Sequence, residues 1–566
     1  MKRILWSSVL ALVAATVVVV SCDGGSGSGE AVSGTTQDLT SIVLVNETAY
    51  IPPQCYTQTI DTQGKVHNPC YSCHVVSREP NYINDADLQL GYTFAEYANT
   101  NHWTNLFKDR SAQVAAIDDE SILDYVRTGN YFDAEGRIAL ATRLGELPAG
   151  WDYDKDGVWD GYVPDAYFNF DAQGFDHGPD GAYSGWRAFA YHLFLGTFWP
   201  TNGSTDDVLV RLAPAFRSNE AGDFDLNVYK TNLAVVEAMI RRQDVILEEP
   251  FAENGVDLDK DGNAYGTAVK VTYDWAPLEG RTMSYVGQAR VEQEAGRVHL
   301  AAGLYPEGTE FLHSVRYIDV DATGETRLAP RLKELRYARK TSWLTYSALL
   351  DLILAEQKEA HDFPDRLRTV IGNVEYGVSN GQGWRYQGFI EDAVGDLRPQ
   401  TFEETVFCVG CHSGVGATDD GVFSYSRRLG VDAFQKGWYH WTQKGLRGTP
   451  EHVRADGRHE YSYYLENNGA GDEFRANAEV VAKFFDDQGE LIPAEIETLH
   501  TDVAHLLFPS RERALSLNKA YRVIVAEQSF IEGRDATVTP PANVHHSVEP
   551  EQATGILESL TPPWEP

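Results

Sequence analysis

Four of the six cysteines form two pairs with the same spacing, and a histidine follows each pair directly. The segments read Cys-Tyr-Ser-Cys-His at 70–74 and Cys-Val-Gly-Cys-His at 408–412. Two thiols three positions apart on a helical turn reach the two vinyl groups along one porphyrin edge, and the adjacent histidine then lies beneath the ring. One tetrahedral zinc site or two redox disulfides would also use four such cysteines. Neither alternative requires a histidine after each pair, so the pattern favours covalent haem attachment.

These two motifs resemble those of c-type cytochromes, and the wider sequence is similar to bacterial dihaem cytochrome c lipoproteins. The motifs lie 338 residues apart, from Cys70 to Cys408, which is farther than two fused small cytochrome domains need. The resemblance implies two bound haem c groups, each held by two cysteines and one axial histidine. These residues are Cys70, Cys73 and His74 for the first haem, and Cys408, Cys411 and His412 for the second.

The sixth position on each iron is predicted to be filled by histidine in at least one haem. Methionine is the usual alternative and raises the haem potential, but only Met239 and Met283 remain after a signal sequence is removed. We favour His102 and His440, because both have aromatic neighbours that would pack against a porphyrin. An open or water-bound position is the other alternative. The further histidines near the motifs are His67, His452 and His459.

One cysteine stands apart from these assignments. Cys55 lies fifteen positions before the first motif and has no obvious partner. A buried, small apolar role is the default for such a residue. A thiolate haem ligand is the alternative.

The N-terminus has the pattern of a lipoprotein signal. Lys2 and Arg3 precede an apolar stretch at 4–20, which is short for a spanning helix, and Val-Val-Ser then leads to Cys22. Cys22 is predicted to be the lipidated first residue after removal of 1–21, although valine replaces the usual leucine three positions before it. A flexible Gly/Ser tether at 22–41 follows. We therefore expect an exported protein anchored to the cell envelope, on its periplasmic face or at the cell surface.

The charge limits the partners. Without 1–21 the chain has 45 basic and 83 acidic residues, a net charge of −38. So large an acidic excess would repel a phosphate backbone, which argues against nucleic acid as a partner. An acidic surface fits solubility or a cationic redox partner protein.

Acidic loops lie between the two motifs. Asp152, Asp154, Asp156 and Asp160, with a glycine at 157, resemble positions 1, 3, 5 and 9 of a calcium-binding EF-hand loop. Position 12 is valine, so a full EF-hand fails, and Asp165 is the nearest downstream carboxylate that could replace it. A structural calcium ion is predicted here. The segment 257–263 repeats the opening of the pattern and then loses it, so a solvated acidic turn is expected there.

The predicted fold is α+β and loop-rich, with cytochrome c-like haem regions towards both ends and a mixed α/β middle. The length predicts two or three domains. The regions are 42–130 for the first haem, 131–393 for the middle, 394–531 for the second haem, and 532–566 for a Pro- and acid-rich tail without regular structure. Predicted helices are 226–247, 335–360, 493–507 and 509–530, and predicted strands are 42–51, 269–275, 284–300 and 311–320. The aromatic segment 184–200 is predicted to be core.

Three functions fit these features. The first is electron transfer between envelope partners, and the second is a dihaem oxidoreductase, peroxidase- or oxygenase-like, with one open iron. The third is a sensor or structural lipoprotein. Two haems need far fewer residues than this chain has, but no acid–base constellation is evident, so electron transfer is favoured and enzyme activity stays open.

Overall fold

Residues 37–475 and 477–561 are described in the computed structural model. The predicted signal sequence, Cys22 and most of the tether lie outside the described residues. In the described part, the α-helices are α1 (Ser111–Ala116), α2 (Asp119–Arg127), α3 (Ala139–Gly145), α4 (Leu226–Arg241), α5 (Gln288–Glu294), α6 (Tyr346–Asp362), α7 (Phe402–His412), α8 (Glu460–Asn468), α9 (Ala478–Phe484), α10 (Pro493–Thr501), α11 (Ala504–Leu507) and α12 (Arg511–Glu527).

The strands pair throughout in antiparallel fashion. They are β1 (Gly91–Tyr92), β2 (Phe175–His177), β3 (Tyr183–Ala188), β4 (Thr205–Asp206), β5 (Leu209–Arg211), β6 (Val245–Ala252), β7 (Thr267–Val271), β8 (Glu310–Val320), β9 (Thr326–Lys340), β10 (Ile371–Asn373), β11 (Gly377–Ser379), β12 (Trp384–Glu391), β13 (Leu397–Pro399) and β14 (Gln552–Ala553).

The central sheet has the order β10-β11-β12-β9-β8-β5-β3-β2, with β13 added to β12 and β4 to β8. The long β8–β9 hairpin forms the middle of this sheet. Its first strand, β8, agrees with the predicted strand 311–320. The turn between the two strands is closed by Asp321, whose carboxylate accepts the N–H groups of Thr323 and Glu325, and by Gly324 at φ +88°. Glycine suits this left-handed position because it has no Cβ.

The two faces of this sheet have different roles because side chains alternate along each strand. Leu312, Leu335 and Phe389 belong to a buried apolar cluster on one face. The other face carries Arg336 on β9 and Tyr386 on β12, and α7 packs against β11 and β12. The second motif, at the end of α7, therefore lies against β11 and β12, towards one edge of the sheet.

The sequence before the second motif fixes the start of α7. Thr401 and Glu404 form a capping box: the Thr401 hydroxyl accepts the backbone N–H of Glu404, and the Glu404 carboxylate accepts that of Thr401. Such a cap stabilises a helix by about 1 kcal/mol. Arg398 also donates two hydrogen bonds to the buried Glu404 carboxylate, at 2.8 and 2.9 Å. The helix that carries Cys408, Cys411 and His412 is thus held at both its cap and its neighbouring strand.

The C-terminal segment packs against the region that contains the first motif. It was predicted to lack regular structure, but β14 pairs with β1, and Val544 and Val548 are buried. The backbone N–H of His545 donates to the carbonyl of Tyr56 at 2.9 Å. The tail is therefore part of the wall around the first motif.

Several predicted elements are wrong. Segment 42–51 is a turn-rich stretch, fixed where Glu403 accepts the N–H groups of Val45 and Asn46. Segment 284–300 contains helix α5 in place of a strand, and 335–340 continues β9 before α6 begins. In these short segments the alternation and helical periodicities are too brief to separate, and tertiary pairing decides.

The helices near the C-terminus also differ from the prediction. The predicted helix 493–507 is broken between α10 and α11, and Pro509 precedes the cap Ser510 of α12 in place of standing in its first turn. The expected division into two or three domains is also wrong, because the chain from Asp38 onward forms one unit by its contacts. Among the described residues, no helix is long and apolar enough to cross a membrane.

Candidate haem centre

The second motif ends α7 with its histidine oriented by a backbone carbonyl. His412 Nδ1 lies 2.8 Å from the carbonyl oxygen of Gly421. A carbonyl only accepts, so Nδ1 carries the proton and Nε2 keeps its lone pair. The ring stacks on Tyr386 with 5.1 Å between centroids and contacts Phe423 edge-on at 5.6 Å. Burial lowers the pKa of His412 to about 4, so the imidazole is neutral, as a metal ligand must be.

The first motif lies on a short 3₁₀ turn, Cys70–Ser72. The backbone N–H of His74 donates to the carbonyl of Cys70 at 2.9 Å, which continues the helical turn that brings the two thiols to one side. His74 Nδ1 donates to Oδ2 of the buried Asp85 at 3.0 Å. Nε2 of His74 therefore keeps its lone pair and is available to a metal. Anchoring of Nδ1 by a carboxylate or carbonyl is the usual arrangement of a metal-binding histidine.

The fold brings the two motifs into direct contact. The N–H of Ala417 donates to the carbonyl of Cys73 at 3.0 Å. The N–H of Gly416 donates to Asp85 at 3.1 Å, on the same oxygen that anchors His74. A Cβ on Gly416 would lie 2.3 Å from both an Asp85 carboxylate oxygen and the carbonyl of Val75, so only glycine allows this approach. Asp85 therefore links the segments that follow the two motifs.

The thiols are free and do not converge on one point. All five described cysteines are unpaired. Among the described residues, none of the clusters of three or more ligand atoms within 4.8 Å includes a cysteine, which disfavours the zinc alternative. Cys70, Cys73 and Cys411 are half-buried, and burial raises the pKa of each thiol.

Cys55 lies near two of the motif cysteines. It is half-buried on the 3₁₀ turn Pro53–Tyr56, near Cys70 and Cys411. Burial raises the pKa of Cys55 to about 12. The small apolar role and the thiolate-ligand alternative both stay predictions.

A cationic side chain beside the first motif fits the charge of a haem. Arg475 lies near Cys70, and its Nη1 and Nη2 atoms are buried without a hydrogen-bond partner. Buried donors without partners are costly, about 1–3 kcal/mol each. A propionate group would satisfy them by a bidentate, charge-assisted pair. The residues around the first motif therefore fit the attached group.

The aromatic segment 184–200 divides between core and site. Trp186, Phe189 and Trp199 are fully buried core residues, as predicted. Phe194 instead contacts Phe423, the ring beside His412, at 4.6 Å. The sequence could not separate the two roles, because both use aromatic side chains.

Neither favoured sixth ligand is supported by the structure. His102 is exposed, and its neighbour Trp103 points inward instead. His440 is buried, but both ring nitrogens are occupied: Nε2 bonds Asp207 at 2.7 Å and Nδ1 bonds Thr442 at 2.8 Å. His440 therefore has no ring nitrogen free for iron in this arrangement. Of the other candidates, His67 bonds Asp61 at 2.9 Å.

The first acidic loop has the local form expected of a calcium loop. The N–H of Gly157 donates to Asp152 at 3.0 Å, and Gly157 has φ +80°. The buried Glu375 joins Asp152 and Asp154, with ligand oxygens within 4.8 Å. It accepts the N–H of Asp160 at 3.1 Å.

Asp165, the carboxylate expected to complete that loop, has other partners. Asp165 forms an ion pair with Arg211 at 2.6 Å and accepts the indole N–H of Trp186 at 2.8 Å. Glu375, in place of Asp165, is the carboxylate that lies beside Asp152 and Asp154. Sequence reasoning missed it because it lies far along the chain.

One further cluster has metal-binding residue types. Glu451, His459 and His500 have ligand atoms within 4.8 Å. His500 Nδ1 already bonds the buried Glu451 at 2.8 Å, and the two histidine rings stack at 3.6 Å between centroids. This stacked arrangement is explained by the carboxylate alone.

Comparison with known proteins places the chain in a lipoprotein class. A family model described as "-like lipoprotein" matches residues 39–501, which is most of the chain, and the protein belongs to this lipoprotein family. Among its relatives is an uncharacterized lipoprotein of Aquifex aeolicus (strain VF5), 29% identical over 623 aligned positions that cover 99% of this chain and 98% of that protein. No solved structure matches the chain. Family membership supports export and lipid anchoring in the cell envelope.

Proposed function

We propose that this lipoprotein is a dihaem c-type cytochrome that transfers electrons in the cell envelope. One observation carries the proposal: two Cys-x-x-Cys-His segments, far apart in sequence, meet in space with both histidines held through Nδ1. When bound, the two haems would supply one-electron redox chemistry. Cys70, Cys73, Cys408 and Cys411 would hold them covalently, and His74 and His412 would each present Nε2 to iron.

Contact between the motifs supports transfer within the protein. The hydrogen bond from Ala417 to Cys73 and the shared acceptor Asp85 keep the two attachment segments adjacent. Adjacent redox centres exchange electrons without a diffusing carrier. Each histidine is oriented by a different acceptor, a carboxylate for His74 and a carbonyl for His412. A carboxylate raises the basicity of the ring more, so the first haem is expected to have the lower potential of the two, other factors being equal.

The partners follow from charge and anchoring. The net charge of −36 favours a cationic electron donor or acceptor protein. Cys22 would hold the protein at a membrane on the periplasmic face or the cell surface.

We also propose a structural calcium ion at Asp152, Asp154 and Glu375, since these oxygens lie together and the loop turns at Gly157 as an EF-hand loop does.

A haem count and a carbon monoxide titration test the proposal. The lipoprotein, produced with a c-type haem maturation system, is expected to contain two covalently bound haems per chain by pyridine haemochrome and intact mass. If the dithionite-reduced protein binds no carbon monoxide, both irons are closed and electron transfer stands. Binding of one equivalent would favour the dihaem oxidoreductase, and absence of covalent haem would overturn the proposal.

A further inference from the structure

We infer that His313 is the sixth ligand of the second haem, on the side opposite His412; this rests on the proposed function, which places a haem at Cys408 and Cys411. His313 lies on β8, in the centre of the main sheet, far in sequence from either motif. None of the sequence patterns pointed to it. Three independent features of its position support the assignment.

The first feature is the sheet register. His313 pairs across the strands with Arg336, and Arg336 pairs with Gly388. Two residues along each strand, Phe311, Ala338 and Tyr386 are aligned in the same way. Side chains two apart point to the same face. His313 therefore shares a face with Tyr386, the residue whose ring stacks on His412.

The second feature is the surroundings of the ring. His313 contacts Phe198 at 6.4 Å between centroids, and the Arg336 guanidinium lies 4.6 Å from the Phe198 ring. Arg336 is close enough to Cys408 and Cys411 to interact with both thiols. His313 itself is among the groups that lower the pKa of His412. The His313 ring thus lies near His412 and near the thiols that would hold the second haem.

The third feature is the orientation of the imidazole. Nδ1 is buried without a hydrogen bond, and Oδ2 of Asp206, a carboxylate that also accepts the Tyr191 hydroxyl, lies 3.4 Å from it. Nε2 makes no hydrogen bond to any described residue. His74 and His412 differ in that an acceptor holds Nδ1 by a hydrogen bond, and His440 has both nitrogens occupied. At His313 a carboxylate lies beside Nδ1 and Nε2 is available to a metal.

Replacement of His313 by alanine tests the assignment, with His361→Ala, an exposed histidine on α6, as the matched control. Both variants are expected to keep two haems per chain. His313→Ala should gain one equivalent of carbon monoxide binding over the parent and show a high-spin ferric band, while His361→Ala should match the parent. His313→Met should stay low-spin with a raised potential for one haem, which guards against a folding defect.

The outcomes separate the two hypotheses. A parent protein without two haems refutes the proposed function. A two-haem parent whose carbon monoxide binding and spin state are the same in His313→Ala refutes the ligand assignment alone. If His313→Ala does not fold, an unchanged spectrum and potential in His313→Met also refutes it.

A second inference stands on different residues: we infer that the loop at 257–263 binds a calcium ion completed by Glu253. This segment was expected to be a solvated turn. The Gly262 N–H donates to Asp257 at 3.0 Å, and Gly262 has φ +91°, as in the first loop. Glu253, at the end of β6, is 6% exposed and its ligand oxygen lies within 4.8 Å of those of Asp257 and Asp259.

The carboxylate of Glu253 is separate evidence for a bound cation. Its Oε1 accepts the N–H of Leu258 at 2.6 Å, but its Oε2 is buried with no partner. A buried carboxylate oxygen beside two other carboxylates is unfavourable unless a cation joins them. Both acidic loops lack the carboxylate at position 12, and in each a buried glutamate from outside the loop supplies one: Glu375 for the first and Glu253 for the second. Calcium, with its flexible oxygen coordination, fits such a site.

Calcium titration of the Chelex-treated lipoprotein by calorimetry, with terbium luminescence as a second readout, tests this site. Glu253→Gln preserves shape and is expected to bind one calcium fewer than the parent. Asp321→Asn, in an exposed turn with no buried glutamate, should bind as many as the parent. An equal number of sites in Glu253→Gln and parent, or no calcium binding by the parent, overturns the inference. Neither result bears on the haem count.

Discussion

The Cys70→Ala/Cys73→Ala variant is expected to carry one haem in place of two, and so is Cys408→Ala/Cys411→Ala. In the proposed dihaem protein each pair of thiols would form the covalent bonds to one haem, so losing both would remove the only thioether links at that site. Intact mass and pyridine haemochrome measure the loss directly. The two single-haem proteins should differ in spectrum and potential, because His74 is oriented by a carboxylate and His412 by a carbonyl.

Cys55→Ser is the matched control for these variants. Cys55 lies near Cys70 and Cys411 but outside either motif, so both haems should remain. Two haems in either double variant, or the loss of a haem in Cys55→Ser, would contradict the attachment sites. If a double variant does not accumulate, the corresponding single cysteine variants are measured in its place. Each single variant should hold its haem by one thioether bond.

The second large effect is expected at Asp85. Asp85→Ala removes the acceptor of three donors at once: His74 Nδ1 and the N–H groups of Val75 and Gly416. Leaving buried donors unsatisfied costs about 1–3 kcal/mol each, so the free energy of unfolding should fall by about 3 kcal/mol or more. The loss of the carboxylate also lowers the basicity of His74, so the potential of one haem should rise, by on the order of 60 mV, a tenfold change in a one-electron equilibrium.

Denaturant unfolding and spectroelectrochemistry measure the two effects separately. Asp87→Ala changes a nearby exposed aspartate and should alter neither quantity. Asp85→Asn keeps the size of the side chain and loses its charge, so it should raise the potential with a smaller loss of stability. A change in stability without any change in either haem potential would mean that Asp85 holds the segments together but does not orient an iron ligand.

Features that depend on residues close together in the sequence could be predicted from the sequence alone. The Cys-x-x-Cys-His spacing, the start of the acidic loops and the strand β8 are all readable, since each depends on residues a few positions apart. Segments such as 42–51 and 284–300 were misassigned because short apolar patterns fit both helix and strand. Their conformation is set by partners such as Glu403, which no local pattern reveals.

What the sequence by itself determined is thus the set of candidate haem-attachment residues and the lipoprotein character, which the family match supports. Only the tertiary structure decided that the segments after the two motifs meet through Asp85, that His440 is occupied by Asp207, and that His313 pairs with Arg336 on the sheet. The same holds for the buried glutamates that lie beside the acidic loops. The physical reason is common to all of them: these contacts join residues distant along the chain, and a carboxylate or imidazole gains its role from the groups that burial places around it.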